Sequence, residues 1–289
     1  MHSQSDYFEY DPSTTLKPVI EAFWQYKPDL QSSVRDILIP EGNIDIVFNY
    51  GAAYERTFLS EKECITNLIN KDSIIGQRTH LFEVTWPKNT KLFAIRLKTD
   101  SAHRLLDCPL HTFSNSSLSI TETPVAPLSD LLHQCSFTDS NKLIERAEMF
   151  LEDLMRSRPP EDKRLTSIIN ILNHHNGNID LSSLLATASC SRRTLERLFS
   201  NKVGLTPKAY CRILRLNHFL YLYQTRATKS FTEVANHSDF YDQSHFIKEF
   251  KAFTGQNPSQ FFKSPPKIYS SLMASLMNKY KRTETNDLR

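Results

Sequence analysis

The sequence predicts an α+β protein in which a β-rich N-terminal domain precedes an all-α domain with two helix-turn-helix units. Up to about residue 120, short strings of β-branched and aromatic residues are separated by turn-forming residues. After about residue 160, apolar residues recur at helical spacing between capping residues and glycines. A chain of 289 residues is long enough for two such domains.

The N-terminal domain is expected over residues 1–158 as a barrel-like set of strands. The strand-forming strings are ILIP, NIDIVFNY, SIIGQRT, LFEVTW and KLFAIRLK. A helix from about Lys142 to Met155 follows them. The proline-containing segment from Arg156 to Asp162 is the expected hinge, after which the helical domain covers residues 164–264.

The first helix-turn-helix unit follows an apolar stripe that stops at Asn176-Gly177. Asp180 is placed to cap a helix beginning at roughly Leu181, and a break is expected at residues 189–191. The second helix of the unit should run from Arg192 and end before Gly204.

A long helix should connect this unit to the next. Thr206 is a good cap, and Pro207 suits the first position of a helix that continues to about Gln224. The second unit reads FTEVANHSDFYDQSHFIKEFKAF, and its later helix should run from Gln243 to just before Gly255. A connector of roughly 19 residues spans about 28 Å, close to the roughly 34 Å between successive major grooves of DNA.

The second helix of each helix-turn-helix unit is expected to have one face that does not pack into the core. Apolar side chains recur at helical spacing and should point inward: Leu195, Leu198, Phe199, Phe246, Phe250 and Phe253. The opposite faces carry Arg193, Glu196, Arg197, Ser244, Ile247, Lys248 and Lys251. Such side chains suit base edges in a major groove. The alternative is a solvated face on which Glu196 pairs with a neighbouring arginine.

Charge is distributed unevenly along the chain. The formal net charge is +3, but residues 156–289 carry 21 Lys and Arg against 10 Asp and Glu, whereas residues 1–155 carry 14 against 22. A basic module gains affinity for a duplex by displacing condensed counterions. The asymmetry therefore favours the helical half as the part that faces nucleic acid.

The strings SRRTLERLFSNKVGLTPKAYCRILRL and FTEVANHSDFYDQSHFIKEFKAFTGQNPSQF resemble the DNA-binding domain of AraC/XylS-type bacterial transcription regulators. The resemblance covers about residues 165–262 and implies seven helices, with two recognition helices in successive major grooves. It places DNA contacts on Ser191, Arg192, Arg193, Glu196, Arg197, Gln243, Ser244, His245 and Lys248. Asp239 departs from the family pattern, which commonly has glycine at that turn.

The N-terminal half resembles a sensor-like domain that precedes some AraC-type domains, through the strings YDPSTTLKPVIEAFWQY, DILIPEGNIDIVFN, GQRT and FAIRLKTDSAHRLLDCP. This resemblance implies effector binding, dimerisation or both. Asp45, Arg78 and Arg96 lie in or beside predicted strands and are the candidate effector-binding residues. The alternative is that Asp45 and one arginine form a structural ion pair.

Double-stranded DNA is the expected main partner, with RNA polymerase, a small-molecule effector and a second copy of the chain as further partners. No cofactor, metal, membrane contact or enzymatic activity is expected, and the location should be cytoplasmic. The alternatives are a protein-interaction scaffold and a DNA-repair methyl acceptor. The second needs a reactive cysteine, but Cys64 and Cys108 each follow an acidic residue, which disfavours a thiolate. Residues 265–289 form a tail with one or two amphipathic turns or a frayed end.

Overall fold

The protein is described here by a computed structural model covering residues 6–59, 64–225, 243–266 and 269–287. The predicted α+β class is confirmed, because strands dominate the N-terminal half and helices the remainder. The expected first helix of the second helix-turn-helix unit and the turn at Asp239 lie outside the described residues.

Ten strands are described in the N-terminal half. They are β1 Tyr7–Tyr10, β2 Ile20–Tyr26, β3 Val34–Leu38, β4 Ile44–Asn49, β5 Tyr54–Leu59, β6 Cys64–Ile69, β7 Ser73–Ile75, β8 Phe82–Trp86, β9 Leu92–Leu97 and β10 Ser117–Ser119. One sheet has the order β1-β2-β9-β4-β7-β10, and the other has the order β3-β8-β5-β6. The described strands thus form two sheets and not the closed barrel that the barrel-like expectation implied.

The six-stranded sheet is the middle layer of this half. Strand β9 lies between β2 and β4 and is buried along its whole length, which explains why LFAIRL is almost continuously apolar. One face packs against the helices that follow it, with Phe23, Phe48 and Phe93 in that core. The other face, which includes Trp24 and Val47, packs toward the four-stranded sheet.

Ten helices are described. They are α1 Ala102–Leu106, α2 Pro127–His133, α3 Ser140–Arg156, α4 Lys163–His174, α5 Leu181–Ala188, α6 Arg192–Lys202, α7 Pro207–Thr225, α8 Gln243–Thr254, α9 Pro258–Lys263 and α10 Tyr269–Asp287, with short 3-10 turns at Leu110–Phe113 and Ile120–Glu122. The expected helix near residues 142–155 is confirmed as α3. The expected hinge lies between α3 and α4.

Local capping sets the ends of the helices in the first helix-turn-helix unit. The Asp180 side chain accepts a hydrogen bond from the Ser183 amide at 2.9 Å, and Ser191 Oγ accepts one from the Thr194 amide at 3.2 Å. Ser189, between the two helices, has the left-handed φ of 47°. The predicted bounds of α5, α6 and α7 are therefore confirmed, as is the start of α8 at Gln243.

The helical half packs directly on the N-terminal half. Ile39 belongs to the same apolar core as the helices, and the Asn217 amide on α7 donates to the Glu41 carbonyl at 3.0 Å. Near the end of α6, Ser114 Oγ donates to the Gly204 carbonyl. These contacts place the connector α7 against the loop before β4.

The C-terminal segment forms a 19-residue helix, α10, longer than the one or two turns or the frayed end expected. It is held because Leu272, Met273 and Leu276 are buried in the helical core. Arg282 adds ion pairs to Glu9 at 3.2 Å and Asp11 at 2.9 Å on the N-terminal half. The helix therefore joins the two halves.

Candidate nucleic-acid interface and cavity

Helix α6 presents a basic face to solvent. Leu195 and Phe199 are fully buried on its inner side, and the Arg193, Glu196 and Arg197 side chains are exposed. The helical spacing of the two apolar residues forces this separation of faces. The three side chains that the sequence assigned to base reading thus lie together on one open surface.

Within that surface, the acidic residue is already paired along the helix. Arg192 Nε donates to Glu196 Oε1 at 2.9 Å, and both side chains are largely exposed. An exposed pair four residues apart contributes only about 0.3–0.5 kcal/mol. Arg193 and Arg197 form no hydrogen bond or ion pair with any described residue, so their guanidinium groups are open to a partner.

Helix α8 has the same design. Phe246, Phe250 and Phe253 are buried, and the exposed face carries Ser244, His245, Ile247, Lys248 and Lys251. Ile247 keeps 38% of its surface exposed, which is unusual for a large apolar side chain in this structure. Gln243 begins the helix, but its side chain is not among those described.

The connector α7 holds both exposed helices. At one end, the Tyr210 ring packs against Phe199 of α6, with ring centroids 6.2 Å apart. At the other, Phe219 lies 4.4 Å from the Phe246 ring of α8. Because both contacts are fully buried, α7 fixes the relation between the two exposed faces.

An ion pair also holds α8 on the connector α7. Arg212 Nε donates to both carboxylate oxygens of Glu249, at 2.9 and 2.8 Å. The same guanidinium group lies over the Phe253 ring, 4.9 Å from its centroid. Arg212 therefore contacts α8 from its inner side and takes no part in the exposed face.

A cavity of about 80 Å³ lies between the two sheets and the C-terminal helices. All three candidate effector-binding residues line it: Asp45, Arg78 and Arg96. Asp45 and Arg96 are directly opposed on β4 and β9, and their side chains are 3.0 Å apart. Trp24 Nε1 also donates to Asp45 at 3.0 Å, so the carboxylate is bound by its own protein.

The two arginines differ in how many carboxylates surround them. Arg96 also approaches Glu41 at 3.4 Å and Glu9 at 3.6 Å, whereas Arg78 contacts Glu41 at 3.3 Å. Burial disfavours the charged form of Arg96, but Asp45 and the other anionic neighbours outweigh this and raise the pKa of Arg96 well above its ordinary value. Arg96 therefore stays charged at neutral pH.

The sequence did not identify Arg56 or Glu41 as cavity residues, or Glu9 as a partner of Arg96. Arg56 lies on β5, where Tyr54 and Arg56 are buried while Glu55 is exposed. Alternate residues of a strand point to the same face, so Tyr54, Arg56 and Phe58 share one face of β5. This alternation was the available signal that Arg56 points inward. An arginine on such a face is normally read as outward-pointing.

Two of the described cysteine side chains, Cys108 and Cys211, have environments that disfavour the thiolate. Cys108, Cys135, Cys190 and Cys211 are free. Burial, reinforced by Asp107, raises the pKa of Cys108, and burial also raises the pKa of Cys211. A methyl acceptor needs a lowered thiol pKa, so nothing at Cys108 or Cys211 favours that alternative.

No helix in the described part of the chain combines the length and apolar character needed to span a bilayer. Within the same residues, no group of three or more His, Cys, Asp and Glu side chains is arranged to hold a metal ion.

Two family profiles match the chain. Residues 184–264 match a helix-turn-helix domain, and residues 8–119 match a domain of unknown function, DUF6597. The first range includes α6, α7 and α8. The second includes β2 to β10, all of β1 except Tyr7, and all of the cavity residues on the sheets except Tyr7.

The chain is also similar to bacterial transcription regulators. It is 32% identical over 104 residues to the HTH-type transcriptional regulator MtrA of Neisseria gonorrhoeae, covering 36% of this chain and 34% of that protein. It is 30% identical over 100 residues to the HTH-type transcriptional activator RhaR of Salmonella dublin, covering 35% and 34%. The matched stretch spans about a third of each relative's length. Among solved structures, an apo variant of ToxT from Vibrio cholerae is 12% identical with a TM-score of 0.47, covering 90% of this chain and 98% of that one.

Proposed function

We propose that this chain, which belongs to the AraC family of helix-turn-helix transcriptional regulators, binds specific double-stranded DNA through α6 and α8. The observation that carries the proposal is the shared anchoring of two exposed polar helices on one buried connector, α7. A rigid spacer between two reading helices lets them enter successive major grooves on one side of a duplex.

On α6, Arg193 and Arg197 are the proposed base-reading residues. A free guanidinium group can bind the O6 and N7 atoms of guanine bidentately, which discriminates against other bases by about 1–3 kcal/mol. Glu196, paired with Arg192, orients that arginine on the same face. Ser191 caps the helix, so its amide end is placed near a phosphate.

On α8, Ser244, His245 and Lys248 are the proposed contacts, with Gln243 at the start of the helix. Ser244 and Lys248 are exposed and one helical turn apart, so they face the same way. The exposed Ile247 next to them suits the methyl group of thymine. The exposed face of α8 combines polar, basic and apolar side chains, whereas that of α6 carries charged ones. This difference predicts a DNA recognition site whose two halves differ in base sequence.

The N-terminal half is proposed to regulate this binding. Its cavity is covered by α9 and α10, so a change in the cavity reaches the helical half through Leu272 and Ser275. Asp45, Arg78 and Arg96 stay predicted effector-binding residues. The ion pairs of Arg96 with Asp45 and of Arg78 with Glu41 make them the fixed polar end of the cavity. RNA polymerase and a second copy of the chain also stay predicted partners.

The test is the effect of Arg197→Ala on two kinds of duplex. A specific duplex is first selected from a random pool by the purified chain, and affinities are then measured by fluorescence anisotropy at a fixed salt concentration. We expect a loss of about 1–3 kcal/mol on the selected duplex and a much smaller loss on random DNA. Arg146→Ala, on the exposed face of α3, is the control and should change neither affinity.

Equal losses on both duplexes would contradict base reading by Arg197. The DNA-binding proposal would be contradicted if no sequence is enriched from the pool and if competitor DNA does not change the affinity of the chain for a protein partner. That result would favour a protein-interaction scaffold.

A further inference from the structure

The cavity between the sheets and the C-terminal helices has two chemically different ends. At the end near Arg96, each charged side chain lies 3.0 to 3.6 Å from a side chain of opposite charge. The remaining wall is mainly apolar and includes the aromatic side chains of Trp24, Tyr26, Tyr54 and Trp86. Arg56 lies in this second wall.

Arg56 is a buried cation without an anionic partner among the described residues. Only 3% of its surface is exposed, and its Nη1 atom has no hydrogen-bond partner. Its guanidinium carbon lies over the face of the Phe82 ring, 4.9 Å from the ring centroid. Burial lowers the pKa of Arg56 to about 10; the Tyr54 hydroxyl opposes this effect, and a second cation, Arg78, adds to it. A buried guanidinium group is ordinarily paired with an anion.

A second unsatisfied donor lies beside it. Trp86 is 4% exposed, and its Nε1 atom has no hydrogen-bond partner among the described residues. The register pairs Arg56 with Val84 and Glu55 with Thr85, which sets Tyr54 opposite Trp86. The Tyr54 and Trp86 rings are accordingly 5.1 Å apart. Arg56 and Trp86 therefore share one face of the four-stranded sheet and line the same cavity.

The geometry points to a binding site for a small monoanionic carboxylic acid, with its carboxylate on Arg56 and Trp86 Nε1 and its short apolar chain against the aromatic wall. One unpaired positive charge matches one negative charge. A neutral ligand leaves the guanidinium charge uncompensated, and a dianion adds a charge that the aromatic wall does not match.

The volume limits the ligand to a short chain. A cavity of about 80 Å³ has about half the volume of an engineered cavity of about 150 Å³ that binds benzene. A carboxylic acid of two or three carbons, which has fewer heavy atoms than benzene, is therefore the expected size. That such an acid is the effector of the regulator rests on the function proposed above, whereas its binding to Arg56 does not.

The test uses the intrinsic fluorescence of the purified full chain, whose two tryptophans, Trp24 and Trp86, both line the cavity. Sodium propionate is titrated at constant ionic strength, and propionamide serves as the neutral probe of nearly the same shape. We expect a saturable change with propionate and none with propionamide. No DNA is present, so the result is independent of whether the chain binds a duplex.

Variants separate the guanidinium group from the rest of the wall. Arg56→Met keeps an apolar chain and should weaken propionate binding at least about 30-fold. Arg35→Met, on the exposed face of β3, should bind as the unmodified chain does. Because Arg56→Met removes an unpaired buried charge, its melting temperature without propionate should be at least that of the unmodified chain, and propionate should no longer raise it.

If Arg56→Met does not fold, Trp86→Phe removes only the indole donor and leaves Trp24 as the reporter. It should weaken propionate binding about tenfold. The proposal is overturned if acetate and propionate give no saturable response, if propionamide binds as well as propionate, or if Arg56→Met binds propionate with unchanged affinity.

Discussion

The contact between Arg212 and Glu249 allows the anchoring of α8 on its connector to be measured. Only the Nε atom of Arg212 donates to the carboxylate, reaching both oxygens at 2.9 and 2.8 Å, so the pair amounts to one charge-assisted hydrogen bond and not a two-nitrogen fork. The Arg212 side chain is 30% exposed and that of Glu249 is 15% exposed. Partial exposure reduces the attraction through solvent screening, and we expect a coupling energy of about 1 kcal/mol.

A double-mutant cycle isolates this energy. The free energies of unfolding of the unmodified chain, Arg212→Met, Glu249→Gln and the double variant are measured by urea denaturation with far-UV circular dichroism. Arg212→Met alone should cost more than the coupling energy, about 1.5–3 kcal/mol, because it also loses the contact with the Phe253 ring. That second contact largely cancels in the cycle, so the coupling reports mainly the ion pair.

The exposed pair on α6 is the matched control. Arg192 and Glu196 are 70% and 51% exposed and are bound at 2.9 Å, close to the distances of the inner pair. Their cycle should give only about 0.3–0.5 kcal/mol. A coupling for Arg212 and Glu249 equal to or below this value would refute the anchoring of α8 through Arg212.

Two further outcomes follow from the packing. The hydrogen bond to Asp72 raises the pKa of His133 above its ordinary 6.5; burial disfavours the charged form of Asp72, but its hydrogen bonds outweigh this and lower its pKa below 3.8. The pair should therefore contribute its full stability between about pH 4 and pH 6.5 and lose it as the pH rises through the raised value of His133; His133→Gln should remove that part of the pH dependence in urea denaturation. Gly177→Ala should cost at least about 2 kcal/mol in the same assay, because Gly177 has a φ of 76° and a β-carbon there would lie 2.3 Å from the Cys211 carbonyl oxygen on α7. Asn176→Gly, at a φ of 49°, should leave the stability nearly unchanged or slightly raised, and a similar loss for both variants would contradict the role of that close approach.

The helical half was predictable because its signals are local. Asp180, Ser191 and Thr206 each bind an amide within three residues, so the sequence near each position is sufficient to set the helix start. The exposed faces of α6 and α8 follow from the spacing of their buried leucine and phenylalanine residues. Which exposed residues contact DNA stays a prediction.

The cavity was predictable only in part, because it depends on contacts between distant residues. Asp45 and Arg96 are opposed through the register of β4 and β9, which alternation alone does not set. Arg56 points inward against the usual preference of arginine for solvent. The length of α10 depends on packing against residues that are far away in sequence, including the bond from Arg96 to Ser275.

Hydroxyl-radical footprinting on the selected duplex measures whether α6 and α8 read the same side of one duplex in neighbouring turns. Two protected patches are expected on one face, centred about 10–10.5 base pairs apart. Inserting about five base pairs between them, half a helical turn, should reduce the affinity to the level of random DNA. One protected patch, or binding that is insensitive to the insertion, would contradict this arrangement.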